Sequence, residues 1–87
     1  MRRYWIEFDL SNYERPPVSI DMGLGVTAQS REDALSLVRD RVFGGRELPP
    51  VRQVIDDVDV STLDPGHVRP NMGAPTWRGI WFPLGFA

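Results

Sequence analysis

Residues 18–45 read VSIDMGLGVTAQSREDALSLVRDRVFGG, and this stretch contains both of the periodicities that decide the fold. In its first nine residues an apolar side chain recurs at every second position, which is the pattern of a β-strand with one buried face. The apolar positions are Val18, Ile20, Met22, Leu24 and Val26. We therefore predict a strand from Val18 to Val26 whose apolar face meets the helix that follows it.

The second part of the same stretch predicts a helix of about three turns. Ser30 is a suitable N-cap, and Asp33 three residues later completes a capping box. An apolar stripe at helical spacing follows, and the diglycine at 44–45 provides a left-handed stop. The stripe consists of Ala34, Leu35, Leu37, Val38 and Val42, of which we expect Leu35, Val38 and Val42 to contact the strand.

Two glycines occupy the opposite face of the predicted strand. Gly23 and Gly25 carry no side chain, so they leave that face bare. Glycine inside a strand is typical of a β-bulge, a strong twist or the close approach of a neighbour. We expect one of these three features beside the two glycines.

Three further segments predict the rest of a sheet. Residues 4–10 alternate between apolar and polar, apart from Trp5 on the polar side. Residues 51–60 fit a helical stripe, but five of the ten are β-branched, which favours a strand. Residues 76–82 are apolar on both faces and predict a short final strand.

The order strand, strand, helix, strand, strand predicts an α+β fold. We expect a two-layer ββαββ-type domain in which one helix covers a small mixed sheet, with residues 1–87 forming a single domain. The sheet should be mixed because a right-handed helical crossover places the third strand parallel to one of the first two.

Composition excludes several classes of function. The chain has no cysteine, so disulfides, thiolate metal ligands and a cysteine nucleophile are excluded. Its net charge of −2 supplies no basic field, and we expect neither nucleic acid nor membrane as a partner. The first ten residues lack the apolar run of a signal peptide or membrane span. We expect a cytoplasmic protein without a cofactor.

Residues 65–87 form an aromatic C-terminal segment rich in turn formers. They hold four of the eight prolines, four of the eight glycines and two of the three tryptophans. Such a segment either completes the core or forms a binding surface, and both interpretations stay open. Trp and Arg contribute most of the binding energy at many interfaces, so we take the tryptophans and arginines of this segment, with Phe82, as candidate ligand- or partner-binding residues. They are Arg69, Trp77, Arg78, Trp81 and Phe82.

A second candidate site surrounds His67, the only histidine. The nearby carboxylates are Asp56, Asp57, Asp59 and Asp64. Carboxylates with one imidazole can hold a hard divalent cation or support acid–base chemistry. On a strand, however, Asp57 and Asp59 share a face while Asp56 points the other way. We therefore expect no metal site and assign no catalytic residue.

Three sequence segments carry a resemblance to a known group of proteins: DVDVSTLD at 57–64, PNMG at 70–73 and WRGIWFP at 77–83. Together they resemble small stand-alone bacterial proteins, actinobacterial ones above all, that form a group without an assigned activity. The resemblance implies an accessory or self-protection role where such proteins accompany natural-product gene clusters.

We expect a non-catalytic binding protein that holds a protein partner or an apolar small molecule. The binding element would be the aromatic C-terminal segment or a strand edge. The alternative is a small enzyme or metal-dependent accessory protein centred on His67 and its neighbouring aspartates.

Overall fold

A computed structural model describes residues 1–17 and 20–86. Its elements are β1 (Arg2–Phe8), β2 (Leu24–Ala28), α1 (Arg31–Arg41), β3 (Val51–Ile55) and β4 (Gly79–Phe82), with short 3₁₀ turns at Val60–Thr62 and Arg69–Asn71. The four strands form one sheet in the order β3-β1-β2-β4. The predicted α+β class, with one helix against a small sheet, is confirmed.

The sheet is antiparallel at every pairing rather than mixed. β1 pairs antiparallel with both β2 and β3, and β2 pairs antiparallel with β4. It follows that β2 and β3 do run in the same direction, as the crossover rule requires. They are not neighbours, because the first strand lies between them and hydrogen-bonds to both.

β2 is shorter than the sequence predicts. It begins at Leu24, because the chain turns just before it, where the Gly23 N–H donates to the Ile20 carbonyl at 3.1 Å. Ile20, Leu24 and Val26 are buried against the helix as expected, but the turn leaves Met22 39% exposed, so its assignment to the core is wrong. The predicted strand residues Val18 and Ser19 lie outside the described residues.

The helix has the predicted ends. The Asp33 N–H donates to Ser30 Oγ at 3.0 Å, while the Asp33 carboxylate accepts from the Gln29 N–H at 3.0 Å. At the other end, the Gly45 N–H donates to the Arg39 carbonyl at 2.8 Å, with both glycines at positive φ. The face against the sheet is centred on Ala34, Leu37 and Val38, with Val42 also buried. Leu35 is only partly buried at the margin of this core.

β3 and β4 confirm the predicted strands with narrower bounds. The strand at 51–60 ends at Ile55, because the chain turns at Asp56–Asp57 and Asp57 adopts a φ of +52°. The Val58 N–H then donates to the Arg3 carbonyl at 2.8 Å. From this point the chain lies on the face of the sheet opposite the helix. The final strand starts at Gly79 instead of Thr76, and its four residues are all buried.

A second apolar cluster covers the sheet face opposite the helix. Its buried members are Trp5, Val58, Val68, Trp81 and Phe82. The irregular chain between β3 and β4 supplies Val58 and Val68. A hydrogen bond attaches this chain to β2, because the Pro75 carbonyl accepts from Thr27 Oγ1 at 2.5 Å. The sheet therefore has a helix on one face and a coil segment on the other.

The bare glycine face has the neighbours that the sequence predicts. A Cβ at Gly23 would lie 2.7 Å from the Trp5 ring, and a Cβ at Gly25 would overlap the six-membered ring of Trp81. The register between β2 and β4 also shifts between Gly25 and Val26, so a bulge is present as well. The indole rings of Trp5 and Trp81 therefore pack into the space left by the absence of side chains at Gly23 and Gly25.

Gly25→Ala is expected to destabilise the fold by roughly 1–3 kcal/mol, because the new methyl group displaces a buried indole. Gly73→Ala is the matched control, since its Cβ would make an ordinary 3.5 Å contact with Leu84 Cδ2. Both changes restrict the unfolded chain equally. Urea unfolding should therefore show a much lower midpoint for Gly25→Ala, and equal midpoints would contradict this packing.

Candidate docking surface

The structure separates the five residues that the sequence proposes as one binding site. Trp81 and Phe82 are 2% and 4% exposed, within the second cluster. Trp77, in contrast, is 75% exposed. The Arg78 guanidinium binds Asp33, and Arg69 lies exposed in a 3₁₀ turn. Part of the segment therefore completes the core, as one of the two interpretations predicts, and part of it faces solvent.

Trp81 is held by packing. Its ring centroid lies 6.2 Å from that of Trp5, and its benzo edge covers Gly25. Its Nε1 is buried without a hydrogen-bond partner among residues 1–17 and 20–86. With only 2% of its surface exposed, Trp81 serves mainly to complete the core.

Two recesses flank the C-terminal turn at Leu84. The larger has a volume of about 530 Å³ and the smaller about 200 Å³. The larger is lined by Asp21, Met22, His67, Asn71, Phe82, Pro83, Leu84, Gly85 and Phe86. The smaller is lined by Arg41, Gly73, Ala74, Trp77, Arg78, Gly79, Ile80, Trp81 and Leu84. Because Leu84 lines both, the recesses form one continuous surface.

This surface, defined here as the Leu84 surface, contains three exposed apolar side chains. Met22 lies on the larger recess, Trp77 on the smaller, and Leu84 between them. Their exposures are 39%, 75% and 60%, respectively. Single exposed apolar residues are common on soluble proteins, but a connected set beside recesses is typical of an interaction site.

The two recesses of the Leu84 surface are lined by residues of opposite charge. Asp21 lines the larger recess and Arg41 the smaller. Among the described residues, neither Asp21 nor Arg41 has an ion-pair partner. As far as residues 1–17 and 20–86 are concerned, both charges are available to an incoming molecule.

Arg78 is a structural residue on this surface. Its Nε and Nη2 donate to the two carboxylate oxygens of Asp33 at 3.0 and 2.5 Å. This bidentate pair ties the C-terminal segment to the first turn of α1. The hydrogen bonds from Arg78 are the main cause that lowers the pKa of Asp33 to about 2, with the Gln29 N–H adding to the effect.

The Asp33–Arg78 pair predicts that the difference in stability between the wild type and an Arg78 variant depends on pH. The pKa of Asp33 in the folded protein lies at about 2, below its ordinary value of 3.8. The stabilisation that the ionised carboxylate contributes is therefore present above about pH 4 and is lost as the pH falls towards 2. Arg78→Gln should lower the urea midpoint at neutral pH, and the gap to the wild type should close between about pH 4 and pH 2. Arg39→Gln is the control, because Arg39 makes only an exposed 3.8 Å contact with Asp40. A difference in urea midpoint that stays constant down to pH 2 would show that the Asp33–Arg78 pair is not the source of this stabilisation.

The aspartates near His67 are engaged separately. Asp56 pairs with Arg31 at 2.9 Å, and Asp59 caps the next turn through Ser61. Asp64 accepts from the Gly66 N–H at 2.8 Å and lies 3.1 Å from His67 Nδ1. The Gly66 N–H is the main cause that lowers the pKa of Asp64, with His67 second. Within the described part of the chain, no three His, Asp or Glu side chains are grouped to hold a metal ion.

The two edges of the sheet offer little room for an added strand. At the β4 edge, the Trp81 carbonyl already accepts from the Gly73 N–H at 2.7 Å. The β3 edge has only five residues, follows Pro49-Pro50 and contains a register shift opposite Glu7 and Phe8. Short length, proline and bulges are features by which edge strands avoid pairing with other chains.

Sequence reasoning did not propose the four residues that, with Trp77, give the Leu84 surface its exposed apolar groups and its charges: Asp21, Met22, Arg41 and Leu84. A signal was present at two places, because Asp21-Met22-Gly23 and Pro83-Leu84-Gly85 are turn-like. An apolar residue inside a turn is a candidate for exposure. No local signal identifies Arg41, which reaches the surface because α1 packs beside β4.

No helix among the described residues has the length and apolar character needed to cross a membrane. In comparisons with protein-family models, with curated proteins and with solved structures, nothing matches the chain. Fold class alone does not define an activity. The exposures, charges and contacts of the Leu84 surface are therefore the basis for assigning a function.

Proposed function

We propose that the protein is a non-catalytic binding protein that docks a protein partner on the Leu84 surface. The observation that carries this proposal is the continuity of three exposed apolar side chains across two adjoining recesses. Interfaces combine exposed apolar anchors with charged groups at their margins, and Trp and Arg contribute most per residue. Trp77, Leu84 and Arg41 fit this composition.

The shape of the surface favours a protein partner over an apolar small molecule. Small-molecule sites are concave and enclose most of their ligand. Here Leu84 is 60% exposed and stands between the two recesses, so the surface has a projection at its centre. A projection flanked by hollows is complementary to a protein surface that has a hollow between two projections.

The alternative enzyme or metal-dependent function has less support. His67 is exposed, and its Nδ1 lies beside a carboxylate that also caps a turn. Catalytic carboxylates are typically poised by burial or by a like charge, which raises their pKa. The pKa of Asp64 is instead lowered, as is usual for a capping carboxylate. We propose a cytoplasmic accessory or self-protection role, in line with the resemblance to small bacterial proteins.

The test is affinity capture with two matched double variants. Trp77→Ser/Leu84→Ser changes the proposed surface, whereas Val51→Ser/Ile55→Ser changes two residues of the β3 edge that are 42% and 37% exposed. Proteins retained by the wild type and the edge variant but lost by the surface variant are then purified. Their affinities are measured directly.

We expect the surface variant to bind such a protein at least about tenfold more weakly, because exposed Trp and Leu anchors are typical hot spots. Urea midpoints should change little, since both positions are exposed. Equal binding by the wild type and the surface variant, or loss only in the edge variant, would contradict the proposal. Apolar small molecules that co-purify with the wild type without any protein would favour the small-molecule alternative.

A further inference from the structure

We infer that the partner presents an acidic side chain, from an internal segment of its own chain, to the smaller recess of the Leu84 surface. The carboxylate binds the Arg41 guanidinium, and an apolar side chain beside it in the partner packs against Trp77 and Leu84. This inference rests on the proposed function and names the chemistry that the partner carries. The three residues all line this one recess.

Arg41 lies at the end of α1, against the start of β4. A Cβ built on Gly79 would lie 3.3 Å from Arg41 Nη1, so the absence of a side chain there leaves space for the guanidinium. Gly79 also has a φ of +147°, a conformation that glycine adopts readily and other residues rarely do. The backbone of β4 therefore provides a place for the guanidinium within the recess.

The charge of Arg41 is not engaged within the part of the chain that the structure describes. The ion pairs there do not include it, and the cation–π contact belongs to Arg46 and Tyr13. Arg78, the other cation that lines this recess, is bound bidentately to Asp33. Arg41 is therefore the group through which this recess binds an anion.

Exposed apolar groups share the recess with this charge. Trp77 and Leu84 are 75% and 60% exposed, and a partner that covers them also removes water from around Arg41. An ion pair formed in such surroundings is stronger than one in open water. The recess volume of about 200 Å³ is below the roughly 300–1,000 Å³ of small-molecule sites, so it suits individual side chains of a docked protein.

A side-chain carboxylate fits this recess better than a chain terminus does. Terminal carboxylates are captured by nests of backbone N–H groups, whereas acidic motifs are recognised by Arg side chains. Here the Gly73 N–H already donates to the Trp81 carbonyl at 2.7 Å, while the planar guanidinium of Arg41 suits a carboxylate. Asp21 in the larger recess repels an acid, so the two charges also fix the direction in which the partner docks.

The test is selection from a phage-displayed library of short random peptides, each flanked by carrier sequence so that no free carboxyl end is present. The wild type, Arg41→Gln and Arg39→Gln are used in parallel. We expect the wild type and Arg39→Gln to enrich peptides in which Asp or Glu neighbours an apolar residue, and Arg41→Gln to lose the preference for the acid. Arg39 is the matched control, because it lies in the same last turn of α1 and lines neither recess.

The most enriched peptide is then synthesised with an amidated end, and its affinity is measured by fluorescence anisotropy. Replacing its acid by the matching amide should weaken binding to the wild type by about tenfold and have no further effect on Arg41→Gln. Arg41→Lys keeps the charge without the planar pair of donors, so it should retain part of the affinity. Urea midpoints should match that of the wild type, because Arg39 and Arg41 are exposed.

An acid preference that persists in Arg41→Gln, enriched peptides without an acid, or no enrichment at all would overturn the inference. Acid-free peptides that bind the wild type but not Trp77→Ser/Leu84→Ser would leave the proposed function standing while this inference falls. Acidic peptides that need Arg41 but still bind the double variant would contradict both. Peptides that need Arg41 and are lost by the double variant support both.

Discussion

Truncation of the chain after Asp64 should abolish the native fold. It removes β4, which pairs with β2 through register partners from Gly25 to Thr27. It also removes three of the five buried members of the second cluster, namely Val68, Trp81 and Phe82. The free energy of burial lost with a strand and most of a cluster exceeds the roughly 5–15 kcal/mol by which a typical domain is stable.

The product should be unfolded or aggregated, because β2 would become an edge strand and Trp5 would lose its indole neighbour. Amide dispersion in an ¹H–¹⁵N spectrum is the measurement. Truncation after Pro83 is the control, since it keeps β4 intact and should leave a folded domain. A soluble 1–64 fragment with native-like dispersion would show that the C-terminal segment is a separable tail.

Leu24→Ala is expected to destabilise the domain by about 2–5 kcal/mol. Leu24 is 0% exposed at the start of β2 and packs within the core beneath α1. Removing its side chain leaves a cavity that a packed sheet and helix cannot close. The measurement is the urea midpoint at constant slope, which reports stability without a change in the unfolded state.

Leu35→Ala is the matched control on the helix. Leu35 is only partly buried at the margin of the same core, so its truncation should cost about 1 kcal/mol. The sequence ranks these two leucines as equals, whereas the structure separates them. Equal midpoint shifts would show that α1 presents a different face to the sheet.

Features that depend on near neighbours in the chain could be predicted from the sequence. Ser30 and the diglycine at 44–45 mark the ends of α1 because capping involves residues only three to six apart. β1 could be predicted, although it runs from Arg2 to Phe8 and not over 4–10, because Tyr4, Ile6 and Phe8 alternate along the chain and lie on the face beneath the helix. The bulge and the close neighbours at Gly25 were also predictable, since glycine in a strand has few other roles.

Features that depend on distant neighbours could not be predicted. Trp77 and Trp81 are four residues apart in the same aromatic segment, yet one is 75% and the other 2% exposed. The difference arises because β2 offers Trp81 the space above Gly25, while Trp77 precedes the strand. The antiparallel order was hidden for the same reason, since nothing local shows that β1 separates β2 from β3.

The sequence by itself determined the fold class, the helix and its caps, and the need for space beside Gly23 and Gly25. These follow from backbone preferences and from apolar periodicity, which act over a few residues. Only the tertiary structure decided which aromatics are core and that Met22, Leu84 and Trp77 share one surface. A surface joins residues from separate elements, so its composition is set by how those elements pack.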